Sequence, residues 1–272
     1  MASERLPTFH PHPSTPKLRL PPGSWDTHCH VLGPTDKYPF AATTTINPAD
    51  APKETLFALH AMLGIERCVI VQTATHGMDN RVTEDALAAK GGSYLGVALL
   101  PTTVSDAELR RFDGRGFHGV RFNFMRHLHQ AATLDEVMAL TPRLADIGWH
   151  LQVHMDGAFI ADMAAALARS PVPVVIDHIG RVDAGLGLEQ EPFQHLLRLM
   201  RNDKFWVKVS GCDRISRHRA ALRRCGAVRA QAGDRIPRPR GVGHRLAAPA
   251  SQGAGPGRRP TGRPHRRDGA DR

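Results

Sequence analysis

In "WDTHCHVLGP" (residues 25–34), His28 and His30 stand one residue apart where a short apolar run meets a Gly-Pro loop. Alternate side chains of an extended strand share a face, so both imidazoles would point one way and Cys29 the other. Two imidazoles on one face can hold a metal or polarise a carbonyl. The chain carries 16 histidines, and the same spacing recurs at His10 and His12 and at His127 and His129. The pair therefore acquires meaning only from the elements that position it.

Those elements alternate. Short β-branched runs over residues 24–28, 67–72, 94–99, 118–123, 149–154, 172–177 and 205–210 read as strands. Helical patterns such as "APKETLFALHAML", "DNRVTEDALAAK", "TLDEVMALTPRLADI" and "GAFIADMAAALA" lie between them. Repeated βα units predict an α/β fold with a parallel sheet covered by helices. No Gly-rich phosphate loop follows the first strand, so a (β/α)₈ TIM-barrel-like arrangement is expected rather than a doubly wound sheet, here truncated after about seven strands. Active sites of such barrels lie at the C-terminal strand ends. His28 and His30, Arg121 and Asn123, His154, Asp177, His178 and Arg181, and finally Ser210, Asp213 and Arg214 fall there.

Composition divides the chain into a flexible leader (1–23), a barrel body (24–216) and a tail (217–272) expected to be disordered. The tail holds 15 arginines, nine glycines and six prolines, with no Lys, Glu, Asn, Phe, Tyr, Trp or Met. Its 15 basic and three acidic side chains give +12, against 21 basic and 23 acidic, or −2, for residues 1–216. The overall +10 thus belongs to the tail. An Arg-rich arm could bind nucleic acid, but such arms usually mix in Lys, Ser or aromatics, and this one has a single Ser, so nucleic acid is not the expected partner. Cys29, Cys68, Cys212 and Cys225 form no CxxC pair, and there is neither an apolar signal region nor a membrane-length run. A cytoplasmic protein with reduced thiols is expected.

The ordered motifs "DTHCHVLGP", "GVRFNF" (119–124), "DHIGR" (177–181) and "VKVSGCDR" (207–214) resemble the amidohydrolase superfamily, and within it the 2-pyrone-4,6-dicarboxylate lactonase branch, over about residues 20–216. The resemblance implies hydrolysis of a small dianionic lactone in the breakdown of aromatic compounds. His28, His30 and His178 would contact the lactone carbonyl. Arg121, Arg181 and Arg214 would hold its carboxylates through bidentate forks, with Arg126 or His127 as a further contact. His154 stands where that branch has Tyr. A His there is typical of metal-binding relatives, in which His28, His30, His154 and His178 would hold one divalent ion, zinc first, whereas the lactonase branch implies none. A metal-dependent lactonase or decarboxylase, and a non-catalytic chain with a nucleic-acid-binding tail, are the alternatives.

The resemblance also implies a strand-eight Asp in a Trp-Gly-Thr-Asp-Trp-Pro-His motif, which the chain lacks. Val242 to Pro249 can be encoded GTG GGG CAC CGA CTG GCC GCA CCC, and read one base later this gives Trp-Gly-Thr-Asp-Trp-Pro-His. We infer that the reading frame breaks near His218 and Arg219. Deleting one base near codon 219 is expected to yield a protein with a cooperative melt and lactonase turnover, while the 272-residue chain shows no useful turnover, since loss of a general base typically costs about 10²–10⁴ in rate. Equal turnover by the two proteins, assayed side by side, contradicts the frameshift.

Overall fold

The computed structural model describes residues 5–125 and 132–211. Arg126, Arg214 and the expected tail (217–272) lie outside the described residues. Seven strands, β1 (Trp25–Cys29), β2 (Arg67–Val71), β3 (Tyr94–Ala98), β4 (Phe117–Phe124), β5 (His150–Met155), β6 (Val174–Ile176) and β7 (Phe205–Val207), form one sheet in chain order. Every neighbouring pair is parallel. One helix crosses between each pair: α1 (Lys53–Leu63), α2 (Arg81–Ala88), α3 (Asp106–Asp113), α4 (Leu134–Asp146), α5 (Ile160–Ala168) and α6 (Glu191–Leu199). In a flat sheet β1 and β7 would stand roughly 29 Å apart, at about 4.8 Å per strand. Yet the Nζ of Lys208, one residue beyond β7, is 3.1 Å from Nδ1 of His28 in β1. The sheet is therefore rolled, and its first and last strands face each other across the interior. Among the described residues no strand follows β7.

Local chemistry explains the element ends. The Thr133 hydroxyl accepts from the Glu136 amide while the Glu136 carboxylate accepts from the Thr133 amide, a reciprocal cap that starts α4. Ser105 caps α3 in the same manner through the Glu108 amide. Gly64, at φ 73°, ends α1 in the left-handed conformation that glycine adopts without a Cβ penalty. Strands β6 and β7 are shorter than their apolar runs predict, because the chain leaves β6 at Asp177 into a left-handed turn whose Ile179 amide donates to the Lys208 carbonyl. Within the leader, Leu6 bridges to Pro48 and Arg5 pairs with Asp50 at 3.1 Å.

Outward-facing strand residues such as Tyr94 and Phe117 pack under the helices, where Trp149, just before β5, and Phe193 of α6 are also fully buried. Behind β1, Cys29 and Cys68 bring their sulfurs to 3.1 Å beside His60, whose Nδ1 meets the Tyr94 hydroxyl at 2.7 Å and whose Nε2 meets Asp26 at 3.2 Å. The Cys68 sulfur, reinforced by burial, pushes the Cys29 thiol well above its ordinary range. No helix among the described residues is long and apolar enough to cross a membrane.

Two outcomes follow from this packing. Cys29 and Cys68 should resist alkylation at pH 8 until the protein unfolds, because the thiolate is the nucleophile and both sulfurs are buried; peptide mass spectrometry of native and denatured samples reads this. Gly96→Ala should cost about 1–3 kcal/mol in denaturant unfolding, since the new Cβ would fall 2.6 Å from the Phe117 ring and 2.7 Å from Leu87.

Candidate active site

The inner face of the rolled sheet carries polar residues in two tiers. The register sets Arg121 of β4 opposite Gln152 of β5, and Asn123 opposite His154. Because side chains alternate, both pairs point inward while Val120, Phe122, Leu151 and Val153 pack outward. The deeper tier centres on Asp177, which has no exposed surface. Gln152 donates from Nε2 to Asp177 Oδ2 at 2.9 Å, Lys208 Nζ stands 3.4 Å from Oδ1, and Arg121 lies 3.8 Å from Oδ2. Arg121 also donates to the Gln72 carbonyl at 2.6 Å. Lys208 further donates to Gln152 Oε1 at 2.8 Å and to His28 Nδ1 at 3.1 Å.

The upper tier is the histidine cluster. Ring centroids of His28 and His30 are 5.0 Å apart, those of His28 and His178 4.6 Å, and those of His154 and His178 5.5 Å. Hydrogen bonds hold the His28 backbone and orient the rings of His30, His154 and His178. The Asp26 carboxylate accepts from the His28 amide at 2.9 Å, His30 Nδ1 donates to the Val71 carbonyl at 2.6 Å, His154 Nδ1 donates to Asn123 Oδ1 at 3.1 Å, and His178 Nδ1 meets the Ser210 hydroxyl at 2.7 Å. Nε2 of His28 and Nε2 of His154 are buried and make no hydrogen bond among the described residues.

His178 and Arg181 sit on a run of four positive φ values, 51° at His178, 54° at Ile179, 60° at Gly180 and 53° at Arg181. Three of these residues are not glycine, and such conformations cost about 1–3 kcal/mol each. The strain is held by fully buried Ile179 and by the Ile179 amide bonding to Lys208. Gly211, at φ 70°, lets the chain after β7 pass His178, where a Cβ would fall 3.1 Å from the His178 Cβ.

Burial, then Lys208, pushes His28 well below its ordinary value, and burial, then Arg121, pushes His154 down to about 2. Both rings are neutral at physiological pH. Burial alone would raise Asp177, but Lys208, His28 and Arg121 hold it well below the carboxylate range. The site thus sets four imidazoles, those of His28 and His154 held neutral, above a buried, ionised carboxylate flanked by Lys208 and Arg121.

His28, Asp177 and His178 bring donor atoms within 4.8 Å of one another, a group that could hold a metal ion. This donor group pairs Asp177 with two of the four expected histidines, and Cys29, His60 and Cys68 form a second such group behind β1. A divalent ion does not fit the group at Asp177 as it stands, because Lys208 already lies against both His28 Nδ1 and Asp177 Oδ1.

Of the residues singled out in the sequence, His28, His30, His154 and His178 meet in one cluster. Arg121 lies at its floor, 5% exposed and engaged by Gln72 and Asp177. Arg181 follows on the turn and adds repulsion against a charge on His154. Arg126 and Arg214 lie outside the described residues. Sequence reasoning missed Lys208 and Gln152. A lone lysine inside the apolar run "FWVKVSG" was the available signal, since a buried lysine needs partners.

Comparison with known proteins agrees with this geometry. The amidohydrolase family model matches residues 25–238. A 2-pyrone-4,6-dicarboxylate hydrolase of Comamonas testosteroni is 39% identical over 209 residues, covering 76% of this chain and 68% of that protein. A 4-sulfomuconolactone hydrolase of Hydrogenophaga intermedia is 39% identical over 201 residues, covering 73% of this chain and 66% of its own length. A solved structure from Pseudomonas putida, described as a candidate 2-pyrone-4,6-dicarboxylic acid hydrolase, superposes with a TM-score of 0.69 at 31% identity, over 80% of this chain and 78% of that one. With the rolled parallel sheet, the strand-end histidines and the match through most of its length, the chain belongs to the amidohydrolase family.

Proposed function

We propose that this fold hydrolyses a small lactone carrying two carboxylates, of the 2-pyrone-4,6-dicarboxylate type, in the breakdown of aromatic compounds. The observation that carries the reading is the cluster of four convergent imidazoles over a buried tier holding Lys208 and Arg121. The activities named for the two curated relatives, both lactone hydrolases, support it.

The chemistry follows from the residues. His28, His30 and His178 would polarise the lactone carbonyl and stabilise the oxyanion formed when water adds, a role that preorganised donors in a water-poor site perform well. A neutral His28 suits it, because it need not lose or gain a proton to donate. Arg181 and Arg214 supply the forks for the substrate carboxylates. Arg121 acts from below, through Asp177 and the overall positive field. Collapse of the tetrahedral adduct breaks the ring C–O bond and releases the open tricarboxylate.

Removing the proton from the attacking water requires a base. Asp177 is poorly suited, since its cationic neighbours hold it ionised well below the carboxylate range, Oδ2 accepts from Gln152, and Oδ1 faces Lys208 and His28 at 3.4 Å with no exposed surface. The strand-eight Asp read in the shifted frame fills this role, so turnover is assigned to the repaired chain.

Two measurements on repaired protein test the reading. Arg181→Met should raise KM with a smaller change in kcat, lowering kcat/KM roughly 10- to 150-fold, the equivalent of a charge-assisted hydrogen bond worth about 1.5–3 kcal/mol. His178→Ala should instead lower kcat by about 10²–10³. Loss of the pyrone's ultraviolet absorption follows both rates. Unchanged kcat/KM in Arg181→Met removes the dicarboxylate assignment, and unchanged kcat in His178→Ala removes the oxyanion role.

A further inference from the structure

Lys208 carries the inference furthest. Its side chain is 10% exposed, and its Nζ faces three acceptors: Gln152 Oε1 at 2.8 Å, His28 Nδ1 at 3.1 Å and Asp177 Oδ1 at 3.4 Å. Asp177 Oδ1 also lies 3.4 Å from His28 Nδ1, but the ammonium is nearer, and an ammonium has three N–H donors and no acceptor, so His28 Nδ1 is assigned as its acceptor. A neutral imidazole that accepts at Nδ1 carries its proton on Nε2, and His28 Nε2 is the buried atom that makes no hydrogen bond among the described residues.

We propose that Lys208 is the resident cation of this site: it fills the place beside His28 and Asp177 where a divalent ion would bind, and it fixes His28 as an Nε2–H donor. Both effects act against a metal. An ion bound by His28 Nδ1 and Asp177 Oδ1 at ordinary ligand distances of about 2.0–2.2 Å would press against the ammonium. An Nε2 that bears a proton has no lone pair to offer an ion from the other side. Arg121 adds a second positive charge next to the same carboxylate. Lys208 is thus a positioning residue that acts through His28. The inference rests on these contacts and not on the substrate, so it stands or falls separately from the lactonase reading.

The test is metal binding. Metal-stripped 272-residue protein, the frame-repaired protein in parallel, and Lys208→Ala and Lys208→Gln variants of each are titrated with Co²⁺, following visible absorption and the thermal melt. The parent should show no histidine-type visible bands at equimolar cobalt. Lys208→Ala should bind about one Co²⁺ with such bands, lose them when His178→Ala is added, and gain about 5–10 °C in melting temperature with the metal. Cobalt held instead by Cys29, Cys68 and His60 would announce itself by a strong near-ultraviolet thiolate band, which keeps the two sites apart. Lys208→Gln is read if the alanine variant does not fold. Histidine-type cobalt binding by the parent overturns the proposal, as does a folded variant that binds none. Variants that unfold and are not refolded by cobalt overturn it too, since an ion should then replace the lost charge.

Discussion

A carboxylate with no solvent contact sits at the middle of this molecule, and its neutralisation organises what surrounds it. Removing water from Asp177 is costly, and the cost is offset only if cations and donors converge on it with good geometry. They come from different strands: Lys208 after β7, Arg121 from β4, Gln152 from β5, and His28 from β1, whose Nδ1 lies 3.4 Å from Asp177 Oδ1. Satisfying one buried charge therefore ties four strands together and rolls the sheet. Truncating one partner of such a cluster typically costs about 3–5 kcal/mol, because the remaining charge is left uncompensated.

The catalytic tier is built on that base. The His28 ring takes its orientation from Lys208 and Asp177 below, while Asp26 holds its backbone amide and joins His60, which in turn meets Tyr94. His178 is lifted above Asp177 by the left-handed turn that starts one residue after it. The strain in that turn persists because Ile179 is locked in the core, and its effect is to place His178 and Arg181 on one rim. Fold stability and site geometry thus share residues, and a change in the deeper tier is felt in the rings above.

Much of this was legible in the sequence. The βα alternation gave the parallel sheet, and the spacing of His28 and His30 put both on one face with Cys29 turned toward Cys68. Other features depend on depth, which spacing cannot encode. Arg121 at a strand end reads as a rim residue, yet its guanidinium lies at the floor between Gln72 and Asp177. Lys208 hides in an apolar run because its partners are 31, 56 and 180 residues away, and only the rolled sheet brings them together. The turn at His178 carries one glycine among four left-handed residues, so glycine spacing could not reveal it. Helix α3 went unmarked because it is short and buries only Leu109 and Phe112, although Ser105 supplies a cap signal; α6, which buries Phe193, Leu196, Leu197 and Leu199, carried a readable apolar face that was passed over.

The central claim is that the histidine cluster and its cationic floor receive a planar dianion. Binding needs no base, so the 272-residue chain itself can answer. Calorimetric titration with benzene-1,3-dicarboxylate, whose carboxylates share the meta spacing of the pyrone's, measures this directly. The account predicts saturable binding of one dianion per folded chain, weakened at least roughly 10-fold by Arg181→Met. A folded chain that shows no binding, or binding that Arg181→Met leaves unchanged, would contradict it.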